Sequence, residues 1–405
     1  MTTALSALAY DVVVHAPSKP PFAEAAGKPR PTHHLNDHAT KFTNPWPSFR
    51  NQEPSYWFKA FSSMAISPPD ASGKTASQVP VQTPDWGAAQ GNDKIKATWL
   101  GHACLLVELP AASGAGRGPR VIFDPACSPR CSAVQWLGPK RYTPLPCRIE
   151  DIPAVDAIVL SHNHYDHTDT NTIQILNKLY HPHVFAPLGN KPYLSSIGVP
   201  DSHIHTLDWW DARLLSLTIP LSTAPSSSGE SKQGVKSTVK ITCTPCQHVA
   251  NRGPFDRWAT LWSSWAIEEV FDADKSNERE PKKVYFAGDT GYRTVRDGED
   301  PDAQPVCPAF AEIGEKIGPF DLAMIPIGAY SPRWMWSNLH AHPSDSVRIY
   351  KDVKARKALG MHWGTWVLTT EPILEPPRLL AEECEKIGIP KGDFDVCAIG
   401  ETRVF

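Results

Sequence analysis

Ser161-His162-Asn163-His164-Tyr165-Asp166-His167 follows directly on the apolar run Ala154–Leu160. That run is nearly continuous in aliphatic residues, which is the pattern of a strand buried on both faces. Three imidazoles and a carboxylate crowded into its exit loop make a poor solvated turn. Bunched imidazoles repel when protonated and gain little from burial, but become favourable when a cation takes their lone pairs. A loop leaving a strand splays alternate side chains. His162 and His164 can therefore reach one ion while Asp166 and His167 reach a second. Asn163 and Tyr165, inside the run, are suited to orienting the loop.

One such run supplies about half the donors that two ions need. Three more ligand-type residues stand just past apolar segments that read as strands. His248 follows Val239–Cys243, Asp289 follows Val284–Ala287, and His362 ends Ala358–Met361. An aspartate can bridge two cations, because each carboxylate oxygen takes one. Further strand candidates are Lys96–Leu109, Arg120–Phe123, Val184–Pro187, Leu215–Pro220, Leu261–Ile267, Leu322–Pro326 and Phe394–Ile399. Thr172–Tyr180, Ser344–Lys354 and Arg378–Ile387 carry apolar residues at helical spacing. The alternation predicts a layered α/β fold, where polar chemistry gathers at strand ends. Asp124, at the end of one strand, and Asp169, just after the His-rich run, are placed to orient ligand imidazoles. His102 sits in a strand break and reads as structural or as a support of the ligands.

Residues 1–43 lack periodicity and read as a flexible segment. An irregular docking arm follows at about 44–90, as the start of the main body that extends to 405. Early His33, His34 and His38 stand among turn formers and read as surface loop. Residues 221–238, rich in Ser, Gly and Lys, read as a surface excursion.

The composition narrows the function classes. With 41% hydrophobic and 20% charged residues the chain is a folded protein. Lys+Arg is 40 against Asp+Glu 43, a net charge of −3. A protein held to nucleic acid by phosphate contacts is normally basic, so no nucleic-acid partner is expected. No window reaches the roughly 18–20 apolar residues of a membrane span, and the first residues lack a basic leader. The 9 Cys are odd in number and form no disulfide framework, which suits small buried hydrophobes in an intracellular protein. The expected location is the cytoplasm or the periphery of an internal membrane. The 14 Trp include Trp258, Trp262, Trp265, Trp334, Trp336 and Trp366; they could pack the core or face a greasy substrate.

The motifs carry a resemblance. The His-rich run, the later His, Asp and His in that order, and the alternating strands resemble the metallo-β-lactamase fold. More specifically, the chain resembles the N-acyl-phosphatidylethanolamine-hydrolysing phospholipase D family. The matching stretches span about 44–380. They are Asn44–Phe49 (NPWPSF), Thr98–Ala103 (TWLGHA), Gly138–Tyr142 (GPKRY), Ser161–His167, Gln247-His248, Leu261–Trp265 (LWSSW), Phe286–Tyr292 (FAGDTGY), His362–Thr365 (HWGT) and Leu374–Pro377 (LEPP).

The resemblance implies an αβ/βα four-layer sandwich with an irregular N-terminal arm, and two zinc ions. His162, His164 and His248 would hold one zinc; Asp166, His167 and His362 would hold the other. Asp289 would bridge them together with a hydroxide. His340 is the implied substrate-side residue, in His340-Ala341-His342-Pro343, where His342 stands in place of the family's Asp. Asp166, Asp289 and His340 are thus the implied catalytic set. Tyr165, Trp334, Trp336 and Trp366 are candidates for substrate contact. The implied reaction is hydrolysis of an N-acylated phospholipid to N-acylethanolamine and phosphatidic acid, with peripheral membrane contact aided by local cations such as Lys140-Arg141, and the resemblance is compatible with a homodimer. The same ligand set would equally serve a hydrolase of a lactone, a thioester or a soluble phosphodiester. A catalytically silent metal-binding scaffold is the alternative of another class.

Overall fold

The computed structural model describes residues 8–17, 30–52, 77–221, 234–271 and 279–405. Strands β1 (Tyr10–His15), β8 (Ala212–Pro220), β9 (Gly234–Thr244), β10 (Ser264–Val270), β11 (Lys283–Phe286), β12 (Leu322–Pro326), β13 (Ala358–Met361) and β14 (Phe394–Asp395) form one sheet in that spatial order. The second sheet runs in the order β15 (Thr402–Val404), β2 (Lys96–Gly101), β3 (Cys104–Glu108), β4 (Arg120–Phe123), β5 (Ala157–Val159), β6 (His183–Pro187) and β7 (Ile204–Leu207).

Period-two alternation sets the layers. Val121, Phe123, Ala157 and Val159 face the core shared by the two sheets. Ile122 and Ile158, between them in sequence, face outward with Leu106 and Val184. Phe123 stacks on Phe286 of the opposite sheet at a centroid distance of 4.6 Å. Helix α1 (Thr170–Tyr180) places Ile173 and Leu176, and α2 (Lys191–Ser196) places Leu194, on that outer face. On the other side α3 (Ala309–Lys316), α5 (Pro343–Asp352) and α6 (Glu375–Lys386) cover the larger sheet, with the short α4 (Arg333–Trp336) preceding α5. Ser346 of α5 donates to the Pro326 carbonyl at the end of β12, 2.6 Å away. The result is helix–sheet–sheet–helix, the expected four-layer sandwich.

Several boundaries differ from those expected on sequence. The strand in Ala154–Leu160 is shorter, and that in Phe394–Ile399 stops at Asp395. The last strand is instead β15, which pairs antiparallel with β2. Within 1–43, expected to be flexible, Tyr10–His15 forms a strand on β8. His33 and His34, expected at a surface loop, are 8% and 9% exposed. They give no local signal because their partner, Asp208, lies about 175 positions away. Of the expected excursion at 221–238, Gly234 onward belongs to β9. Residues 222–233, and 53–76 of the docking arm, lie outside the described residues.

Strand direction positions the site. β4–β7 run parallel, as do β11–β14. β9 is antiparallel to β10 and β10 to β11, so β9 and β11 share a direction. The loops after β5, β9, β11 and β13 therefore leave at carboxyl ends, where layered α/β folds build sites.

Candidate metal centre

The seven expected ligands converge. His162, His164 and His248 form one group with donor atoms within 4.8 Å of one another; His102, Asp166, His167 and His362 form a second. Asp289 lies between the groups. Its Oδ2 is 3.1 Å from His167 Nε2 and 3.8 Å from His248 Nε2, and its Oδ1 is 2.9 Å from His362 Nε2. Asp166 Oδ2 is 3.4 Å from His167 Nε2 and 3.8 Å from His362 Nε2.

Hydrogen bonds at the far ring nitrogens turn the donor atoms inward. Asp124 Oδ2 takes the His167 Nδ1 position at 2.7 Å. Ser161 Oγ meets His162 Nδ1 at 2.9 Å, and the Leu339 carbonyl accepts from His248 Nδ1 at 2.9 Å. Asn251 Oδ1 lies 3.2 Å from His164 Nε2. Such partners fix the tautomer and leave the opposite nitrogen free to bind a cation. Asp169 departs from the expected role. It accepts from the backbone and side chain of Ser128, so it anchors the loop after β4 and not a ligand imidazole.

The arrangement fits metal ions better than protons. His162 Nε2 faces His164 Nδ1 at 2.7 Å, and His167 Nε2 faces His362 Nε2 at 3.2 Å. Among the described residues, His340 Nδ1 and His362 Nδ1 are buried without a hydrogen-bond partner. Burial pushes His162 and His248 well below the usual imidazole range, which leaves lone pairs available. Burial would raise Asp289, but His167 and His362 outweigh it and hold the carboxyl well below its ordinary value. Nitrogen-rich sets with carboxylates suit zinc and several other transition metals.

The backbone at the site is unusual. His102, Asp124 and His362 adopt positive φ of 53°, 39° and 65°. Non-glycine residues rarely do so, and such positions cluster at functional sites. His362 N–H donates to the His102 carbonyl at 2.9 Å. His102 itself belongs to the site, with Nε2 3.0 Å from Asp166 Oδ2. On sequence it held only a supporting place. Its position in a Gly-His strand break was the available signal.

A profile of the beta-lactamase superfamily domain matches residues 119–363. The N-acyl-phosphatidylethanolamine-hydrolyzing phospholipase D 1 of Caenorhabditis elegans is 38% identical over 294 residues, covering 71% of this chain and 68% of that one. The chain belongs to the N-acyl-phosphatidylethanolamine-hydrolysing phospholipase D family. The mitochondrial phospholipase D of that description from Saccharomyces cerevisiae is 30% identical, over 76% of this chain and 55% of the yeast protein. An isothiocyanate hydrolase from Delia radicum gut bacteria superposes with a TM-score of 0.48 at 19% identity, covering 76% of this chain and 99% of that structure. Membership makes the chain a hydrolase of the metallo-β-lactamase fold.

The family's His-x-Asp-Pro stretch departs here at His342, and the structure gives the replacement a role. His342 is the N-cap of α5, its Nδ1 accepting from Ser344 N–H at 3.1 Å. Burial lowers its pKa to about 4, which keeps that nitrogen an acceptor at neutral pH. His340 points back to the site, with Nδ1 3.7 Å from Asp289 Oδ2. Burial lowers its pKa to about 4 as well.

The aromatic candidates divide. Trp366 lines a pocket together with His102, His362, Trp363 and Glu371. Trp336 lies 6.3 Å from the His340 ring, and Trp334 is half-buried beside it on α4. Tyr165 is covered by the Arg252 guanidinium, 4.0 Å from its ring. Arg252 also donates to the Asn163 and Thr168 carbonyls, so the pair braces the ligand loop. Trp262 and Trp265 are core residues, each indole N–H bonded to a backbone carbonyl at 3.0 Å. Arg141, expected as a surface cation, lies under Trp366 at 4.9 Å and donates to the Ala126 carbonyl.

Proposed function

We propose that the chain is a dinuclear zinc phosphodiesterase that hydrolyses N-acyl-phosphatidylethanolamine to N-acylethanolamine and phosphatidic acid. The observation that carries this reading is the position of Asp289, whose carboxylate reaches both donor groups, Oδ2 toward His248 and His167 and Oδ1 toward His362. His162, His164 and His248 would hold one ion, and Asp166, His167 and His362 the other, with Asp289 shared. When bound, two such ions supply an activated water and offset the negative charge of a phosphodiester.

The chain's own residues do the rest. Asp124, Ser161, Asn251 and the Leu339 carbonyl keep four imidazoles in their binding tautomers. Neutral His340, without a protein partner at Nδ1, offers a hydrogen bond to a phosphoryl or leaving oxygen on the substrate side. Trp366, Trp336 and Trp334 offer apolar surface for the lipid near the reacting group. Trp136, Leu137 and Phe255 are 77%, 60% and 99% exposed. The first two lie on the loop that leaves Ser128, and Phe255 lies beside the Arg252 brace. Both loops are tied to the ligand run, which supports peripheral contact of this rim with a bilayer. Among the described residues no helix is long and apolar enough to cross a membrane.

The test is release of phosphatidic acid from an N-acyl phosphatidylethanolamine by purified protein. It is run with and without chelator, with His164→Ala as the blank, and beside a lactone, a thioester and a soluble phosphodiester. Release that survives chelator and the His164→Ala change overturns the metal reading. Cleavage of only a different ester overturns the substrate and leaves the centre. Bound metal without cleavage of any of these would make the chain a silent scaffold.

A further inference from the structure

We propose that His33, His34 and Asp208 form a third cation site, separate from the paired centre, which clamps the N-terminal arm to the end of β7. Their donor atoms lie within 4.8 Å of one another. His33 Nε2 is 2.7 Å from Asp208 Oδ1, and His34 Nε2 is 2.7 Å from Asp208 Oδ2. Two adjacent residues thus aim the same ring atom at the two oxygens of one carboxylate.

A simple hydrogen-bonded latch accounts for only half of this. His33 is aligned to donate to Asp208. His34 Nε2, at the same distance, makes no aligned N–H···O bond to Asp208 and has no other hydrogen-bond partner among the described residues. An orphaned buried ring nitrogen beside a carboxylate costs free energy unless something takes its lone pair. At the paired centre, too, buried ring nitrogens face one another, at 2.7 and 3.2 Å.

The surroundings are built. His33 stacks on Trp209 at 4.2 Å, and His34 meets Phe42 edge-on at 5.4 Å, so both rings are held in place. The Asp208 side chain is 21% exposed, which leaves an open side for water as a fourth ligand. Two imidazoles, one carboxylate and a water suit tetrahedral Zn2+.

The site would close a hairpin. Leu35 N–H donates to Lys41 O and Thr43 N–H to His33 O, while Phe42 N–H donates to Trp258 O on the body. Immediately beyond, Asn44 Nδ2 holds the His248 carbonyl at 2.8 Å. A clamp at His33 and His34 thus fixes a segment that braces a ligand of the paired centre. The proposal stands on its own donors and does not depend on the substrate reading.

The experiment is metal counting on the full chain after loading with Zn2+ and removal of loosely bound ions, combined with limited trypsin digestion. Wild type is expected to retain three equivalents, and Asp208→Asn and His34→Ala two each, with faster cleavage after exposed Lys41 in both. A His164→Ala/His248→Ala variant, which dismantles one half of the paired centre, should keep the Lys41 protection and lose it on adding chelator. Two equivalents in wild type, or a third that persists in both arm variants, overturns the proposal. If the arm variants fail to fold, the wild-type count and the chelator-sensitive protection in His164→Ala/His248→Ala decide it. Protection indifferent to chelator there shows a hydrogen-bonded latch and overturns the proposal.

Discussion

Asp124 Oδ2 lies 2.7 Å from His167 Nδ1, and both side chains are fully buried. The same carboxylate accepts from Ser161 N–H at 2.7 Å and from Ser161 Oγ at 2.6 Å. Three donors converge on one acceptor-only group, on the strand next to the ligand loop. Asp124→Asn replaces one oxygen by an NH2, so at least one donor then faces another donor. The change should lower metal affinity about 10–100-fold, as losses of such supporting partners do. It should also cost roughly 1–3 kcal/mol of stability. Chelator competition and a thermal melt measure the two effects. Unchanged affinity would remove Asp124 from the support of the centre.

The N-terminal arm reaches the same centre from the other side. Asn44 Nδ2 donates to the His248 carbonyl, and Ser48 Oγ donates to Gln247 Oε1 at 2.6 Å. Asn44→Ala leaves the buried His248 carbonyl without this donor, at a cost of about 1–2 kcal/mol. The expected result is weaker zinc retention with little change in secondary structure. Zinc content after dialysis and the far-ultraviolet spectrum check it. Full retention would mean that His248 is held from the body alone.

Most of the centre was legible because its ligands carry their own signal. A His-x-His-x-Asp-His run after an aliphatic strand is hard to read otherwise, and His248, Asp289 and His362 each follow an apolar strand. The layers were legible for the same reason: the buried strands are continuous in apolar residues. What stayed hidden depends on partners distant in sequence. β1 is a half-exposed edge strand with the pattern of any short loop, and it exists because β8 offers it a free edge. His33 and His34 became interesting only when Asp208 was brought to them. His342 looked like a lost acid, whereas its imidazole takes the capping position by itself.

Gly288 makes the turn between β11 and Asp289 with φ of +59°. A Cβ placed there would lie 2.5 Å from Ser161 Cβ and 3.1 Å from the Ser263 carbonyl. Gly288→Ala therefore meets both a left-handed backbone, worth roughly 1–2 kcal/mol, and an overpacked contact, worth about 1–3 kcal/mol. Relief must move either Ser161, next to His162, or Asp289. Stability should fall by about 2–5 kcal/mol, with metal affinity falling in step. A variant that melts like wild type would show that the turn relaxes without disturbing its neighbours.

His183 on β6 and His205 on β7 are joined by a ring-nitrogen contact of 2.9 Å, and His203 stacks on His183 at 4.4 Å. Burial, with His203 adding like charge, lowers the His183 pKa to about 4. Burial, with Arg213 and His203 adding to it, lowers His205 to about 4. In the unfolded chain both titrate near 6.5. The unfolded state therefore binds more protons between those values, so stability is fully present above about pH 6.5 and declines as the pH falls toward 4. Shifts of this size would suggest more, but His205 is only partly buried and the two rings titrate as a pair, so about 1–2 kcal/mol is expected for both together. The metal ligands also release their ions in acid. The decisive quantity is the difference between wild type and His183→Gln/His205→Gln, melted in parallel from pH 7 to 4.5. The variant should lose less stability over that range than wild type. Parallel curves would place the acid sensitivity elsewhere in the fold.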